Sequence, residues 1–211
     1  MTDGKTPPAV TYCHKERIDI DDTATFDDAT IRRHIIRYQW AKDVIAKRFG
    51  RAARVLDCAC GTGYGSKILL SVAHEVFGMD IDRGAIETAI AKHGGGLLTF
   101  FQWDLSKHPF HFSRPAMDAV VCVETIEHIQ DDVAILERFK DALIPGGLLL
   151  LSTPIRASGC LDDKPANPFH IREYTAPELA NIVQSVGFRD VKVEPEGCHL
   201  RGFIFLTAVR P

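Results

Sequence analysis

The sequence has few of the features that mark secreted, membrane-spanning or nucleic-acid-binding proteins. Its six cysteines form no CxxC pair and are too sparse for a small disulfide-stapled scaffold. No stretch approaches the ~20 apolar residues that span a bilayer, and no basic segment followed by an apolar run stands at the N-terminus. A net charge of −3 gives no general attraction for a polyanion. We therefore expect a reduced, cytoplasmic protein without membrane or nucleic-acid partners.

The remaining composition is that of an ordinary globular protein. The chain has 211 residues, of which 45% are hydrophobic and 25% charged, which is enough for one sizeable core. We expect one domain over residues 1–211. An N-terminal arm and helical cap should occupy 1–50, and the core should occupy 51–211 with a long loop at 154–175.

From residue 54 onward, short apolar segments alternate with amphipathic ones. Strands are predicted at 54–58, 75–79, 97–102, 118–123, 148–152, 191–194 and 203–209. Helices are predicted at 28–48, 66–72, 83–92, 132–143 and 176–186. Buried strands separated by helices indicate an α/β fold with a parallel sheet covered on both faces.

A glycine-rich segment, residues 57–65, follows the first predicted strand. Its three alternate glycines let the backbone approach a ligand, because a Cβ there would obstruct the approach. Asp57 ends the strand, and a carboxylate there is poorly suited to a pyrophosphate but suits the ammonium group of a methionine moiety. The charge therefore favours S-adenosylmethionine over NAD, with Asp57, Cys58, Gly61 and Gly63 as contacts.

Two further acids follow the next two predicted strands. Asp80 can accept hydrogen bonds from both hydroxyls of a ribose. Asp104 can accept from the adenine amino group, with Ile81 and Leu105 flanking the ring. Because the carboxyl ends of parallel strands meet at one edge of a sheet, the acids should line one crevice together with Asp57. The alternative is that all three are solvated acids at helix N-termini.

These segments resemble the successive motifs of class I S-adenosylmethionine-dependent methyltransferases. The motifs are Val55-Leu56-Asp57-Cys58-Ala59-Cys60-Gly61-Thr62-Gly63-Tyr64-Gly65, Gly78-Met79-Asp80-Ile81-Asp82 and Leu143-Ile144-Pro145-Gly146-Gly147. The resemblance covers roughly residues 54–209. It implies a Rossmann-like, doubly wound sheet of seven mostly parallel strands with the last strand antiparallel, and S-adenosyl-L-methionine as the cofactor.

A second group of chemically active residues follows the fourth predicted strand, in Glu124-Thr125-Ile126-Glu127-His128-Ile129. If this turn is helical, Glu124, Glu127 and His128 share one face. Two carboxylates beside an imidazole can bind a divalent metal, and a histidine alone can act as a general base. His170 lies in the loop after the fifth strand, at the same edge of the sheet, and can approach this pocket.

The turn is similar to the Glu, Glu, His cluster of two methyltransferase subfamilies, the ubiquinone-pathway O-methyltransferases and the small-RNA terminal 2′-O-methyltransferases. In the second subfamily a later histidine joins the cluster to hold a magnesium-type ion. This resemblance implies Glu124, Glu127, His128 and His170 as metal ligands. Metal-free relatives carry the same turn, with the first glutamate facing the cofactor and the histidine in the pocket floor, so both interpretations stay open.

Arg37 lies in the predicted helix that precedes the sheet. There it can pair with the methionine carboxylate of the cofactor through a charge-assisted hydrogen bond. The alternative is that Arg37 belongs to a solvated helix face, which is the commoner role of such an arginine.

Methyl transfer is an in-line displacement that needs alignment and exclusion of water. We expect methylation of a hydroxyl oxygen on a small-molecule acceptor. His128 or His170 would act as the base, or a divalent metal such as Mg²⁺ would lower the hydroxyl pKa. The alternatives are N-methylation of an amino sugar or glycan precursor, 2′-O-methylation of an RNA 3′ terminus, a non-catalytic cofactor sensor, and an NAD-dependent oxidoreductase.

Overall fold

A computed structural model describes residues 18–21, 27–108, 110, 116–156, 165 and 167–211. The strands are β1 (Arg54–Cys58), β2 (Glu75–Asp80), β3 (Leu98–Gln102), β4 (Met117–Val123), β5 (Leu143–Pro154), β6 (Arg189–Val193) and β7 (Phe203–Val209). The helices are α1 (Asp28–Phe49), α2 (Tyr64–Leu70), α3 (Arg83–His93), α4 (Asp132–Ala142) and α5 (Ala176–Ser185), with 3₁₀ turns at Gly50–Ala52 and Ile126–His128. Within the described ranges, no helix has both the length and the apolar character to cross a membrane.

All seven strands belong to one sheet, in the order β3-β2-β1-β4-β5-β7-β6. The first five strands pair in parallel, and β7 pairs antiparallel with both β5 and β6. This arrangement confirms the predicted Rossmann-like sheet with an antiparallel last strand. The strand order reverses between β1 and β4, and ligands of doubly wound sheets bind outside the carboxyl ends of the strands at such a point.

Helices cover both faces of the sheet. Strands β1, β4 and β5 are almost wholly buried, as their continuous apolar runs predict. On one face, α1, α2 and α3 pack through an apolar cluster that includes Tyr38, Leu69 and Ile86. On the other face, α4 and α5 pack through Phe139 and Leu179. The first of these layers carries the cap helix α1 against the β1 end of the crevice.

Polar side chains cap the N-termini of four helices, of which α3, α4 and α5 follow β2, β4 and β5 in the chain. The carboxylates of Asp27, Asp82 and Asp131 accept the first free backbone N–H groups of α1, α3 and α4. Thr175 and Glu178 form a reciprocal capping box at the start of α5. These caps fix where each connection leaves the carboxyl edge of the sheet.

Several predicted boundaries differ by two residues or more, among them those of β5, α2 and β6, which begins at Arg189 rather than 191. β5 begins at Leu143 rather than near 148, because the chain stays extended through Pro145 and the Gly146 N–H donates to the Arg210 carbonyl at the chain end. α2 begins at Tyr64 rather than at 66, inside the glycine-rich segment.

The predicted N-terminal arm lies mostly outside the described residues. Of its described part, Asp19 and Asp21 form ion pairs with Lys92 at the end of α3. Cys58, Cys60 and Cys122 are buried and unbridged, and Cys198 is exposed and unbridged. Cys13 and Cys160 lie outside the described residues.

Candidate functional site

Asp57 is fully buried at the end of β1. Its Oδ1 accepts a hydrogen bond from the Tyr38 hydroxyl at 3.2 Å, and its Oδ2 accepts one from the Ser66 hydroxyl at 2.6 Å. Burial raises the pKa of Asp57 to about 7, although both hydrogen bonds act to lower it. The carboxylate therefore ties α1 and α2 to β1, and its predicted contact with an ammonium group stays a prediction.

The glycines of the β1–α2 loop serve the protein's own packing more than predicted. A Cβ at Gly63 would lie 2.7 Å from the Phe100 ring, and one at Gly65 would lie 2.1 Å from the Tyr38 ring. Gly61 and Gly63 also have φ values of 55° and 83°. Gly63 and Gly65 thus have a packing role that the sequence did not indicate, and the predicted approach of a ligand to the loop backbone stays a prediction.

Asp80 is held at the end of β2 by two backbone donors. The Gly61 N–H donates to Oδ2 at 2.9 Å, and the Asp82 N–H donates to Oδ1 at 2.8 Å. The next residue, Ile81, is half-buried at the same edge, and its carbonyl accepts from the Gln102 amide. One carboxylate therefore links the ends of β1 and β2 beside the glycine loop.

Asp104 follows β3 and is engaged by its own turn. Its Oδ1 accepts from the Ser106 hydroxyl at 2.6 Å, and its Oδ2 pairs with Lys107 at 2.9 Å. Burial acts to raise the pKa of Asp104, but these contacts outweigh it and lower the pKa. The Leu105 side chain is buried in the core, and its carbonyl accepts from Arg138. The predicted roles of Cys58, Asp104 and Leu105 toward an adenosyl group stay predictions, and the Cys58 side chain is likewise in the core.

Arg37 is the most unusual charged residue near the crevice. Only 2% of it is exposed, so the alternative of a solvated helix face is wrong. Its Nη2 lies 3.2 Å from Glu124 Oε2, and its guanidinium carbon lies 4.0 Å from the centroid of the Phe203 ring. Its buried Nε and Nη1 have no hydrogen-bond partner among the described residues. A buried cation with unpartnered donors fits an anionic ligand group, such as a carboxylate.

Glu124 does not share a helical face with Glu127 and His128. It precedes the 3₁₀ turn and has a φ of 50°, a strained conformation for a non-glycine residue. Its carboxylate pairs with Arg37 and its N–H donates to the Ser152 carbonyl. The structure therefore places Glu124 with the cap helix and not with the histidines.

Glu127, His128 and His170 do come together. One donor atom from each lies within 4.8 Å of the others. The two imidazole rings meet edge to face, with their centroids 5.0 Å apart. Glu127 is fully buried; its Oε2 accepts from the Thr153 hydroxyl at 2.9 Å, and its Oε1 accepts nothing from the described residues. Burial raises the pKa of Glu127, while the neighbouring histidines act to lower it.

The loop of residues 167–173 fixes the His170 ring. The Phe169 N–H donates to Asn167 Oδ1, so the Asn167 amide nitrogen is the group that faces His170 Nε2, at 3.0 Å. The lone pair of His170 is then on Nε2, and its Nδ1–H donates to Glu173 at 3.0 Å. Both ring nitrogens of His170 are thus engaged.

The His128 ring is fixed by the same loop. Its Nδ1 lies 3.1 Å from the Phe169 carbonyl oxygen, which can only accept. The tautomer therefore carries its proton on Nδ1 and its lone pair on Nε2. An imidazole held in this way suits proton abstraction from an acceptor.

The residues present do not fit the four-ligand magnesium set that the resemblance implied. Glu124 is turned toward Arg37, and the remaining group offers one carboxylate and two imidazoles, of which His170 Nε2 already accepts a hydrogen bond. Mg²⁺ prefers oxygen ligands in octahedral geometry. By contrast, the paired donors of Arg37, the oriented Asp80 carboxylate and the half-buried Ile81 fit the carboxylate, ribose and base of an adenosyl amino acid.

Sequence reasoning missed several supporting residues. Tyr38 and Ser66 hold Asp57, Thr153 holds Glu127, and Asn167 and Glu173 hold His170. Hydroxyl and amide side chains are too common for a single sequence to mark these five. Their roles come from distances between separate segments of the chain.

The comparisons with known proteins agree with this geometry. The family model described as a methyltransferase domain matches residues 32–193. A protein named "Probable S-adenosylmethionine-dependent methyltransferase" from Mycolicibacterium smegmatis is 33% identical over 158 residues, covering 74% of this chain and 58% of that protein. A ubiquinone biosynthesis O-methyltransferase from Leptothrix cholodnii is 27% identical over 121 residues, covering 56% of this chain and 50% of that protein. The chain thus spans little more than half the length of these relatives.

A solved structure with the same fold is 1,6-didemethyltoxoflavin-N1-methyltransferase from Burkholderia thailandensis, with bound 1,6-didemethyltoxoflavin and S-adenosylhomocysteine. Its TM-score is 0.67 at 21% identity, covering 90% of this chain and 85% of that one. The family match argues against the alternative of an NAD-dependent oxidoreductase. The chain belongs to the family of S-adenosylmethionine-dependent methyltransferases.

Proposed function

We propose that this chain transfers a methyl group from S-adenosylmethionine to a hydroxyl oxygen of a small-molecule acceptor. The observation that carries the proposal is the pair of oriented imidazoles, His128 and His170, beside the buried Glu127 at the carboxyl edge of the sheet. An oxygen acceptor must lose a proton during transfer, and this group supplies an oriented base. The cofactor supplies a methyl group on a positively charged sulfur.

Residues of β1, β2 and α1 would hold the cofactor. Arg37 would bind the methionine carboxylate through its Nε and Nη1. Both atoms are buried donors without a partner among the described residues, and this supports an anionic ligand group beside them. Asp80 would accept from the ribose hydroxyls, with Ile81 against the adenine and the backbone of Gly61 alongside. Asp57 would add negative charge near the ammonium group. These contacts would leave the sulfur facing the acceptor side of the crevice.

His128 would act as the base and His170 would position it. The tautomer of His128 puts the basic lone pair on Nε2, and Asn167 and Glu173 hold the two ring nitrogens of His170 in place. A proton taken by His128 makes an imidazolium, and the buried carboxylate of Glu127 stabilises that charge. The edge-to-face contact with His170 limits rotation of the His128 ring.

The test is turnover of labelled cofactor with a panel of phenols, sugars, amino sugars and short RNAs, followed by mass spectrometry of the product. His128→Ala should lower kcat by about 10²–10⁴-fold. The affinity for S-adenosylhomocysteine should stay unchanged, because His128 contacts the acceptor and not the cofactor. His74→Ala is the matched control, because His74 is an exposed histidine with no role in the proposed site.

Three results would contradict the proposal. Full turnover by both His128→Ala and His170→Ala would show that neither histidine acts as the base. Loss of activity in a chelator, with recovery on adding a divalent ion, would show that a metal ion activates the acceptor in place of a histidine base. Binding of S-adenosylhomocysteine without turnover of any acceptor in the panel would favour the non-catalytic sensor.

The proposed compartment is the cytoplasm. The support is chemical: Cys58, Cys60, Cys122 and Cys198 all carry unbridged thiols. A thiol-trapping experiment on the native protein from cells should find these four cysteines reduced.

A further inference from the structure

A second group of metal-binding side chains lies away from the methyl-transfer crevice. Glu194, Cys198 and His199, in the connection between β6 and β7, each place one ligand atom within 4.8 Å of the others. They line a cleft of about 450 Å³ whose opposite wall is α1, including Trp40 and Asp43. The family match ends at residue 193, before these three residues, and the proposed mechanism involves none of them.

The fold holds the backbone of Glu194 and Cys198 and the ring of His199. The Glu194 N–H donates to the Phe205 carbonyl in the β6–β7 ladder, and the Cys198 N–H closes a turn onto the Pro195 carbonyl. The His199 ring packs edge to face on Phe205, with centroids 5.1 Å apart. Backbone hydrogen bonds and ring packing therefore place the three residues beside one another.

Trp40 lies on the wall of the same cleft, with its ring centroid 6.3 Å from that of His199. Trp40 is buried, and its indole Nε1–H has no hydrogen-bond partner among the described residues. A buried donor without an acceptor is costly. Water or hydroxide on a metal ion in the cleft would supply the missing acceptor.

We propose that Glu194, Cys198 and His199 bind a zinc ion, with water in the fourth position. One thiolate, one imidazole and one carboxylate are donors that zinc takes in tetrahedral sites, and the thiolate selects against Mg²⁺ and Ca²⁺. On binding, the Cys198 thiol releases its proton to solvent. The ion would link the two ends of the turn at 194–199 to each other, beside the cleft wall formed by α1. Phe203, which packs under the Arg37 guanidinium, follows directly on that connection.

Cobalt(II) is the probe for the test, because a cobalt–thiolate bond gives a charge-transfer absorption that oxygen and nitrogen ligands do not. The full chain should bind one equivalent of Co²⁺ with this band, and Zn²⁺ should displace it. Cys198→Ser should abolish the band. Glu194→Gln and His199→Ala should weaken Co²⁺ binding by at least about tenfold, since even outer partners of metal ligands are worth that much.

The matched control is Glu196→Gln, which removes an exposed acid from the same turn but none of the three ligands. It should bind Co²⁺ as the parent does. Cys198 is exposed, so its replacement should leave the melting temperature of the metal-free protein unchanged. The proposal is overturned if the parent shows no thiolate band, if the band survives Cys198→Ser, or if His199→Ala binds Co²⁺ as tightly as the parent.

Discussion

Replacing Asp57 by asparagine should change how the stability of the folded protein depends on pH. Asp57 is fully buried between α1 and α2, and its pKa rises from 3.8 to about 7 on folding. Asparagine has the same shape and keeps both contacts, because its Oδ1 can accept from Ser66 and its amide can donate to the Tyr38 hydroxyl oxygen. The substitution therefore removes the titration and leaves the packing in place.

The sign follows from which state holds the proton. Below pH 3.8 the carboxyl is protonated in both states, and its contribution to stability is fully present. Between 3.8 and about 7 the unfolded chain releases the proton while the folded protein keeps it, so stability falls as the pH rises. The slope is about 1.4 kcal/mol per pH unit, and the total loss is about 4 kcal/mol by pH 7. Asp57→Asn should lack this loss.

The measurement is the free energy of unfolding by urea at a series of pH values, compared between the parent and Asp57→Asn. The difference between the two curves should grow from pH 4 to pH 7 and then stay constant. Ser66→Ala is the control, because it removes a hydrogen bond that lowers the pKa of Asp57 and should extend the slope to higher pH. Parallel curves for the parent and Asp57→Asn would refute the reasoning.

The same variant tests the predicted role of Asp57 in cofactor binding. A cationic ammonium group near the carboxylate favours its ionised form, so binding of S-adenosylhomocysteine near pH 6 should release a proton. Calorimetry in two buffers of different ionisation enthalpy measures that proton. Equal proton release by the parent and Asp57→Asn would mean that Asp57 only anchors the helices.

Three further predictions concern stability. Ala59 has a φ of 60°, so Ala59→Gly should raise the free energy of unfolding by about 1 kcal/mol in a urea titration; no gain would show that the loop relaxes. Gly65→Ala would put a Cβ 2.1 Å from the Tyr38 ring and should lower stability by about 1–3 kcal/mol, seen as a lower melting temperature; an unchanged melting temperature would contradict the packing. Tyr174→Phe removes a 3.0 Å hydrogen bond to the buried Asp132 and should cost about 1.5–3 kcal/mol in chemical denaturation, whereas a neutral result would show that water replaces the hydroxyl.

The fold could be predicted largely from local patterns. Strands β1 and β7 have the predicted bounds, because each is a short apolar run with clear turn residues on both sides. β5 was predicted too short, because proline and glycine at 145–147 normally end an element. There the ladder with the chain end at Arg210 overrides the local preference.

A candidate site residue was predictable only where its residue type is unusual at that position of the fold. A carboxylate at a strand end stands out, so the positions of Asp57, Asp80 and Asp104 at three neighbouring strand ends were predictable, while their roles stay predictions. What each one contacts was not predictable. The hydroxyls on Asp57 and the lysine on Asp104 come from tertiary packing. Likewise, a surface arginine and a buried one look alike in a sequence, and only the contacts of Arg37 with Phe203 and Glu124 distinguish them.

Glu127 explains why the group of Glu127, His128 and His170 depends on the whole fold. Its backbone carbonyl accepts from the N–H groups of Ile171 and Arg172, and its side chain accepts from Thr153. One buried residue thus joins the turn after β4, the end of β5 and the loop that carries His170. A carboxylate placed there is expensive to bury, and its pKa is raised for that reason. The geometry of the two histidines is therefore set before any acceptor arrives, by hydrogen bonds that no local pattern in the sequence records.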